Sequence, residues 1–293
     1  MMVNTVLGPV ASGKLGQTLM HEHITCADWS MRMNFGDKFL QYDKLVEMAA
    51  GQLKKLKEYG IDTFVDGTAV NLGRDIHLLR DVAEKSGVNI VASSGFYYQE
   101  EAWLAMRDEG EIHDLLLDEC LHGISGTDSK PGIMKNGVVK AGVTPLQHKL
   151  LHCVGTVAKE ANLPIFCHHD PKVQSGYEGD ETFPSEELCA KLRQGAKELG
   201  IPMIEGAIHS SDVFYRQPSD ETPTYWEKLR DERGCLAVEM ESFALFHNAR
   251  VLGKKAACLL TISDSFVSPE KTTAEQRQNS FTNMMKIALS LAE

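Results

Sequence analysis

Short apolar runs alternate with longer helical patterns along almost the whole chain. The runs rich in apolar and β-branched residues predict strands at residues 18–24, 62–66, 89–93, 132–138, 163–168, 202–208, 235–240 and 255–263. Apolar residues at helical spacing predict helices at residues 43–59, 74–86, 101–121, 145–161, 185–199, 224–233, 241–252 and 273–292. Four glycines stand where C′ residues end helices: Gly60, Gly87, Gly200 and Gly253.

This alternation of strands and helices predicts an α/β fold with a parallel sheet covered by helices. Eight strands and eight helices satisfy a (β/α)₈ barrel. An open, doubly wound sheet is the alternative, because the count of elements does not show closure. The most polar stretch, residues 170–184, predicts a long loop or linker, and residues 216–223 predict a second one.

Composition indicates a soluble globular protein. Of 293 residues, 43% are hydrophobic and 24% charged, and 30 basic against 41 acidic residues give a net charge of −11. Such a charge should repel nucleic acid and anionic membranes. No apolar run is long enough to span a bilayer, the start lacks the features of a signal peptide, and seven scattered cysteines form no CxxC pair. We therefore expect a cytoplasmic protein with reduced thiols and a small-molecule substrate, without nucleic-acid or membrane partners.

Side chains of the type that ligate metals stand at the ends of three predicted strands. His21 and His23 are two residues apart, so on a strand both imidazoles face the same side. Lys135 lies inside an apolar run, where a lysine is costly unless it is paired or chemically used. His168 and His169 close another apolar run. Each residue alone is equally well explained as an ordinary polar residue, but the set favours a metal site at the strand ends, where barrel active sites lie.

The first 170 residues carry a series of family-like motifs: VLGPV at 6–10, TLMHEH at 18–23, GIDTFVD at 60–66, NLGRD at 71–75, SSGFYY at 93–98 and GISGT at 123–127. This part of the chain resembles the phosphotriesterase-like branch of the amidohydrolase superfamily. The resemblance implies two divalent metal ions, most simply zinc, which lower the pKa of a shared water and polarise the scissile bond.

The resemblance also implies which residues bind these metal ions. His21 and His23 would bind one ion, a carboxylated Lys135 would bridge to the second, and His168 would bind that second ion. The family also uses a histidine after strand six and an aspartate after strand eight. By topology, these two roles would fall on His209 and Asp264.

The last 120 residues carry different motifs: SSDVFY at 210–215, LAVEMES at 236–242, TISD at 261–264 and TTAEQRQNSF at 272–281. They resemble the C-terminal part of bacterial-type purine nucleoside phosphorylases. The resemblance implies that Glu241 binds the ribose hydroxyls and Met240 packs on the sugar. It also implies that Asp264 protonates the purine N7 with the help of Arg277. A solvated strand end and a helix N-cap are the simpler explanations of Glu241 and Asp264.

Neither family pattern is complete. The phosphorylase family builds its phosphate site mainly in its N-terminal half, and this chain has no recognisable counterpart. His209 also stands where that family usually has an aromatic residue that stacks on the base. The chain thus resembles a chimera of two portions, residues 1–170 and 171–293. We expect either a (β/α)₈ barrel-like fold with three atypical last βα units, or a partial barrel followed by a phosphorylase-like α/β subdomain.

Three functional hypotheses follow. The first is a binuclear metal hydrolase that acts on an ester, lactone or phosphoester. The second is a protein that binds or cleaves nucleosides, and the third is a recombined chain that folds without catalysing a reaction. We favour the first, because four of the six metal ligands of that family have matching residues here, and His209 and Asp264 could take the other two positions. A homo-oligomer is also expected, since the first family suggests dimers and the second hexamers.

Overall fold

The computed structural model describes residues 1–138, 143–168, 177–211, 225–268, 272–279 and 282–291. Its contacts divide the chain into two compact units, Met1–His168 and His169–Glu293. The first unit contains, in chain order, β1 (Met2–Thr5), β2 (Gly8–Ala11), β3 (Gln17–Glu22), α1 (Trp29–Phe35), α2 (Tyr42–Glu58), β4 (Ile61–Asp66), α3 (Ile76–Ser86), β5 (Asn89–Gly95), α4 (Ala102–Ala105), α5 (Glu109–His122), β6 (Ile133–Gly137), α6 (Pro145–Ala161) and β7 (Ile165–His168).

The second unit contains α7 (Glu186–Glu198), β8 (Ala207–Ser210), α8 (Tyr225–Arg233), β9 (Cys235–Glu239), α9 (Ser242–Val251), α10 (Ala274–Asn279) and α11 (Thr282–Leu289). Strands β8 and β9 pair in parallel. Four buried hydrophobic side chains are described in this unit: Leu192, Ala196, Ala244 and Ile287. Within the described residues of the whole chain, no helix is both long and apolar enough to cross a membrane.

The first unit is built on a five-stranded parallel sheet in the order β3-β4-β5-β6-β7. Parallel neighbours that follow the chain order, with helices in the connections, are the arrangement of a partial (β/α)₈ barrel. The predicted α/β fold is therefore confirmed, with a curled parallel half-barrel in the first unit. The antiparallel hairpin of β1 and β2 precedes this sheet, and the backbone N–H of Val6 bonds the carbonyl of Ile90 on β5 at 2.8 Å.

The helices that cover the sheet follow from local sequence signals. On α2, the buried side chains of Val46, Ala49, Ala50 and Leu53 form one stripe at helical spacing. Thr144 starts α6 with a capping box, and Pro145 occupies the first turn, where it costs no hydrogen bond. Gly87 ends α3 with a φ of 68°, a conformation that favours glycine, as its C′ position predicts.

Some predicted elements are wrong. The helix predicted over 101–121 is split, because Asp108 forms a capping box with Glu111 and begins a new helix. Among the described residues, 255–263 contain no strand, contrary to the prediction. The hairpin of β1 and β2 and helix α1 were not predicted. The predicted loop at 216–223, residues 170–176 of the linker, and His169 lie outside the described residues.

Candidate active site

The curl of the sheet brings a lysine and a histidine from distant strands together. Lys135 Nζ lies 2.7 Å from His21 Nε2. Their strands, β6 and β3, are three positions apart in the sheet, so in a flat sheet their backbones would be separated by about 14 Å. Side chains from these strands meet only because the sheet bends and both residues project from its concave side.

Register decides which other side chains share this concave face. Lys135 pairs with Phe166, and Gly137 pairs with His168. Because side chains alternate along a strand, Lys135, Phe166 and His168 point to the same face. The Phe166 ring lies 5.8 Å from the His21 ring, measured between centroids, and His168 lies 5.1 Å from the Tyr97 ring. Phe166 also packs against Val65, Val91 and Ile133, so the site has an apolar floor.

Lys135 is almost completely buried, with 1% exposure, as is Asp66. Burial lowers the pKa of its amine to about 8, although two neighbouring thiols and the Asp66 carboxyl act in the opposite direction. The side chain bonds an imidazole instead of a carboxylate. The environment therefore makes the Lys135 ammonium easier to deprotonate than an exposed lysine.

The histidines are also held in their neutral form. Burial lowers the pKa of His21 to about 4, and the charges of Lys135, His23 and His168 act in the same direction. Burial lowers the pKa of His23 as well, against the opposing charge of Asp66. His21, His23, Lys135 and His168, the four residues predicted to bind metal ions, are therefore close enough for His21 to sense the charges of the other three. Neutral imidazoles are the form that binds metal ions.

The segment that follows β4 supports the two histidines, and the sequence prediction missed it. The Asp66 carboxylate accepts hydrogen bonds from the backbone N–H of Ile24 and of Thr68, both at 2.9 Å. Thr68 Oγ1 lies 2.9 Å from His23 Nδ1. The available signal was position, because Asp66 ends a strand adjacent to β3 and therefore lies at the same sheet edge as the histidines.

Gly67 is a site where an added methyl group is expected to weaken zinc binding. A Cβ at this position would lie 2.8 Å from His21 Cδ2 and 3.2 Å from His21 Nε2. We expect Gly67→Ala to displace the imidazole and weaken zinc binding about 10-fold or more, the range found when a ligand loses its support. Zinc titration of the purified variant measures this effect.

Gly51→Ala is the matched control, because a Cβ on this helical glycine meets open space. We expect its zinc affinity to equal that of the wild type and its stability to rise by about 1 kcal/mol. If Gly67→Ala bound zinc as tightly as Gly51→Ala, the His21 imidazole would not be held against Gly67 as described.

Within the described ranges, no group of three or more His, Cys, Asp and Glu side chains is arranged to hold a metal ion. Of the three histidines, His21 contacts Lys135, which belongs to none of these residue types. His209 and Asp264, the two substitutes predicted from topology, lie in the second unit. Among the described residues, β8 pairs with β9, and the sheet of the first unit ends at β7. The use of His209 and Asp264 as ligands stays a prediction.

In the second unit, Asp264 and Arg277 contact each other, the two residues that the phosphorylase resemblance assigns to protonation of the purine. Arg277 Nη2 donates to Asp264 Oδ1 at 2.9 Å, and the Asp264 side chain is 11% exposed. Desolvation and the charge of Glu239 raise the pKa of Glu241. The Glu239 carboxylate accepts bonds from the backbone N–H of Glu241 and from both the backbone N–H and the hydroxyl of Ser242, so it organises the start of α9.

A cavity of about 1290 Å³ lies in the same unit. His209 lines it together with Tyr225, whose hydroxyl lies 3.1 Å from His209 Nε2. Met240, Glu241 and Asp264 are not among its described lining residues. His209 therefore lines the cavity, whereas the described lining does not include the three residues that the nucleoside-binding prediction names.

Comparison with known proteins agrees with both resemblances. Residues 1–186 match the phosphotriesterase family, and residues 155–293 match the phosphorylase superfamily. The chain belongs to the phosphotriesterase family, and its last part is phosphorylase-like, so the predicted chimera is confirmed.

Three relatives illustrate the two parts. The phosphotriesterase homology protein of Mycobacterium tuberculosis is 33% identical over 222 residues, which are 73% of this chain and 65% of the relative. The aryldialkylphosphatase of Saccharolobus solfataricus is 28% identical over 179 residues, 60% of this chain and 57% of the relative. The DeoD-type purine nucleoside phosphorylase of Clostridium beijerinckii is 50% identical over 105 residues, 36% of this chain and 42% of the relative. The chain spans less than two thirds of each of these relatives.

Proposed function

We propose that the first unit is a metal-dependent hydrolase that acts on an ester, a lactone or a phosphoester. The observation that carries this proposal is the approach of Lys135 Nζ to His21 Nε2 on the concave face of the curled sheet. Lys135 is 1% exposed, and no carboxylate of the described residues lies in hydrogen-bonding contact with it. Burying such a charge costs stability, so the lysine has little structural purpose. A chemical use of the amine explains why the position is a lysine.

The chemistry of these side chains supports the proposal of a site for two divalent metal ions such as zinc. Neutral imidazoles are zinc ligands, and His21, His23 and His168 supply three of them. The Lys135 amine, whose pKa is about 8, has a neutral fraction that can react with carbon dioxide to give a carbamate and a proton. The carbamate oxygens would complete a bridging ligand, whereas a bare ammonium would be repelled by the metal ions.

When bound, divalent metal ions of this kind activate water at neutral pH and polarise the scissile bond. The chain's own residues bind and orient the substrate beside them. Burial raises the pKa of Tyr97 to about 12, so its hydroxyl keeps its proton and can donate a hydrogen bond. Tyr97 and Tyr98 lie against the His168 ring, and Phe166 lies against His21, which gives the site an aromatic wall for the substrate's apolar part.

The test is hydrolysis by the full chain after chelation and after zinc is restored. We would assay an aryl ester, a lactone and an aryl phosphotriester in bicarbonate buffer, which supplies carbon dioxide for Lys135. The proposal expects zinc-dependent turnover of at least one of these classes. Absence of stoichiometric zinc binding would contradict it, whatever the activity.

Nucleoside binding by the second unit is the second candidate, and the Arg277–Asp264 hydrogen bond favours it. We expect phosphate-dependent cleavage to be absent, because the residues that would hold phosphate are not recognisable and an unpositioned nucleophile loses its large effective molarity. Base release from inosine, adenosine and uridine at saturating phosphate measures this, with Asp264→Ala as the control. Robust phosphate-dependent release that disappears in Asp264→Ala would make phosphorolysis the primary activity.

A further inference from the structure

The Thr68 side chain contacts His23, a proposed metal ligand, at the Nδ1 nitrogen of its ring. Its Oγ1 lies 2.9 Å from His23 Nδ1. Thr68 is 2% exposed and Asp66 is 1% exposed, so water does not compete for these groups. A hydrogen bond at one ring nitrogen of a histidine fixes both the ring orientation and the tautomer.

The surroundings of Thr68 hold its hydroxyl in place. Its backbone N–H donates to Asp66 Oδ1 at 2.9 Å, and its carbonyl accepts from Ser93 Oγ at 2.8 Å. These two bonds fix the backbone on both sides of the side chain. The backbone that carries the hydroxyl is therefore anchored beside the imidazole.

The direction of the hydrogen bond follows from the donors available. A hydroxyl has one proton to donate, and the neighbouring Asp66 carboxyl already accepts from the backbone N–H of Ile24 and of Thr68. In the arrangement that we infer, the Thr68 hydroxyl donates its proton away from His23 and accepts from the imidazole, so Nδ1 carries the proton. The second nitrogen, Nε2, then presents a lone pair.

We infer that Thr68 is a positioning residue that holds His23 in the Nδ1–H tautomer, with Nε2 ready to bind a metal ion. This inference rests on the proposed function for its purpose, but the tautomer is a property of the metal-free chain. Asp66 acts through Thr68, and the same carboxylate fixes the backbone of Ile24 directly after the histidine pair.

The experiment compares Thr68→Val, which removes the hydroxyl at nearly constant volume, with Thr68→Ser, which retains it. Long-range ¹H–¹⁵N spectra of the metal-free, histidine-labelled full chain report the tautomer, and His23→Gln assigns the signal. We expect the Nδ1–H tautomer in the wild type and in Thr68→Ser, and its loss in Thr68→Val. The Nδ1–H tautomer in Thr68→Val would overturn the inference.

Thr63→Val is the matched control, because the buried Thr63 hydroxyl bonds the carbonyl of Leu15 and no histidine. Its His23 signal should match that of the wild type. If Thr68→Val does not fold, Thr68→Ala removes the same hydroxyl and receives the same measurement. Zinc titration forms the second arm, with about 10- to 100-fold weaker binding expected for Thr68→Val and near wild-type binding for Thr68→Ser.

The two arms separate this inference from the proposed function. A wild-type Nδ1–H tautomer that is lost in Thr68→Val, without zinc binding by any variant, would leave the positioning role intact and contradict the hydrolase. Zinc binding that is equal in all variants, with an unchanged tautomer, would contradict the positioning role and leave the metal site intact.

Discussion

Replacing His21 and His23 together by alanine is expected to weaken zinc binding by more than about 100-fold, beyond the range seen when a ligand only loses its support. The two imidazoles are two of the three histidine ligands of the proposed site, and a methyl side chain cannot replace them. Two measurements test this prediction: the zinc content after gel filtration, determined by mass spectrometry of the metal, and the hydrolysis of the three substrate classes. Both should fall to the level of the chelated protein.

The control for this variant is His148→Ala combined with His152→Ala. These two histidines lie one turn apart on the surface of α6, so they match the chemistry and number of the changed residues. Zinc content should stay at the wild-type level. If the His21 and His23 double variant also retained wild-type zinc, the metal site would be elsewhere and the proposed function would be wrong.

Replacing Lys135 by methionine should abolish tight zinc binding and at the same time stabilise the metal-free protein. The carbamate that we propose on Lys135 could not form without the amine, and a thioether of similar length fills the same buried space. The pKa of Lys135 is lowered from 10.5 to about 8, which corresponds to about 3 kcal/mol of destabilisation at pH 7. Urea unfolding of the two metal-free proteins measures this difference.

The pH dependence of the stability difference between the wild type and Lys135→Met shows whether the buried charge of Lys135 causes it. Because the folded-state pKa is depressed, the folded chain binds fewer protons than the unfolded chain, and the penalty is fully present below pH 8. The penalty should disappear as pH rises from about 8 to 10.5, so wild-type stability should approach that of Lys135→Met over this window. A Trp226→Phe background restricts the tryptophan signal to Trp29 and Trp103 of the first unit.

Lys149→Met is the control for this experiment, because Lys149 bonds the backbone carbonyls of Leu104 and Arg107 and no residue of the candidate site. It should bind zinc normally and show no relative gain in stability at pH 7. A Lys135→Met protein that was less stable than the wild type at pH 7 and unchanged in zinc affinity would show that Lys135 has a purely structural role.

Elements with strong local signals could be predicted from the sequence, and elements that depend on distant partners could not. Helix α6 lies at the predicted residues, because Thr144, Pro145 and the left-handed Asn162 mark both ends locally. The break at Asp108 also had a local signal, the capping box with Glu111, which the apolar periodicity of the surrounding residues obscured. The strand predicted at 255–263 has an apolar run, but an apolar run becomes a strand only when a neighbour pairs with it.

The candidate site shows the same division. The strand-end positions of His21, His23, Lys135 and His168 could be read from the sequence, because strand ends of a parallel sheet share one edge. The contact between Lys135 and His21 could not, since it depends on the curl of a sheet across three strand positions. Gly67 and Thr68 were not predicted because neither residue type is a usual metal ligand. Gly67 leaves space for the His21 ring, and Thr68 contacts the His23 ring.

The most direct test is a crystal structure of the full chain grown with zinc and bicarbonate, with anomalous data collected at the zinc edge. The account predicts anomalous peaks within bonding distance of His21, His23 and His168, and electron density for a carboxylate group on Lys135 Nζ. A zinc-soaked crystal without anomalous peaks at these residues, in which a bare Lys135 amine bonds His21 Nε2, would contradict it.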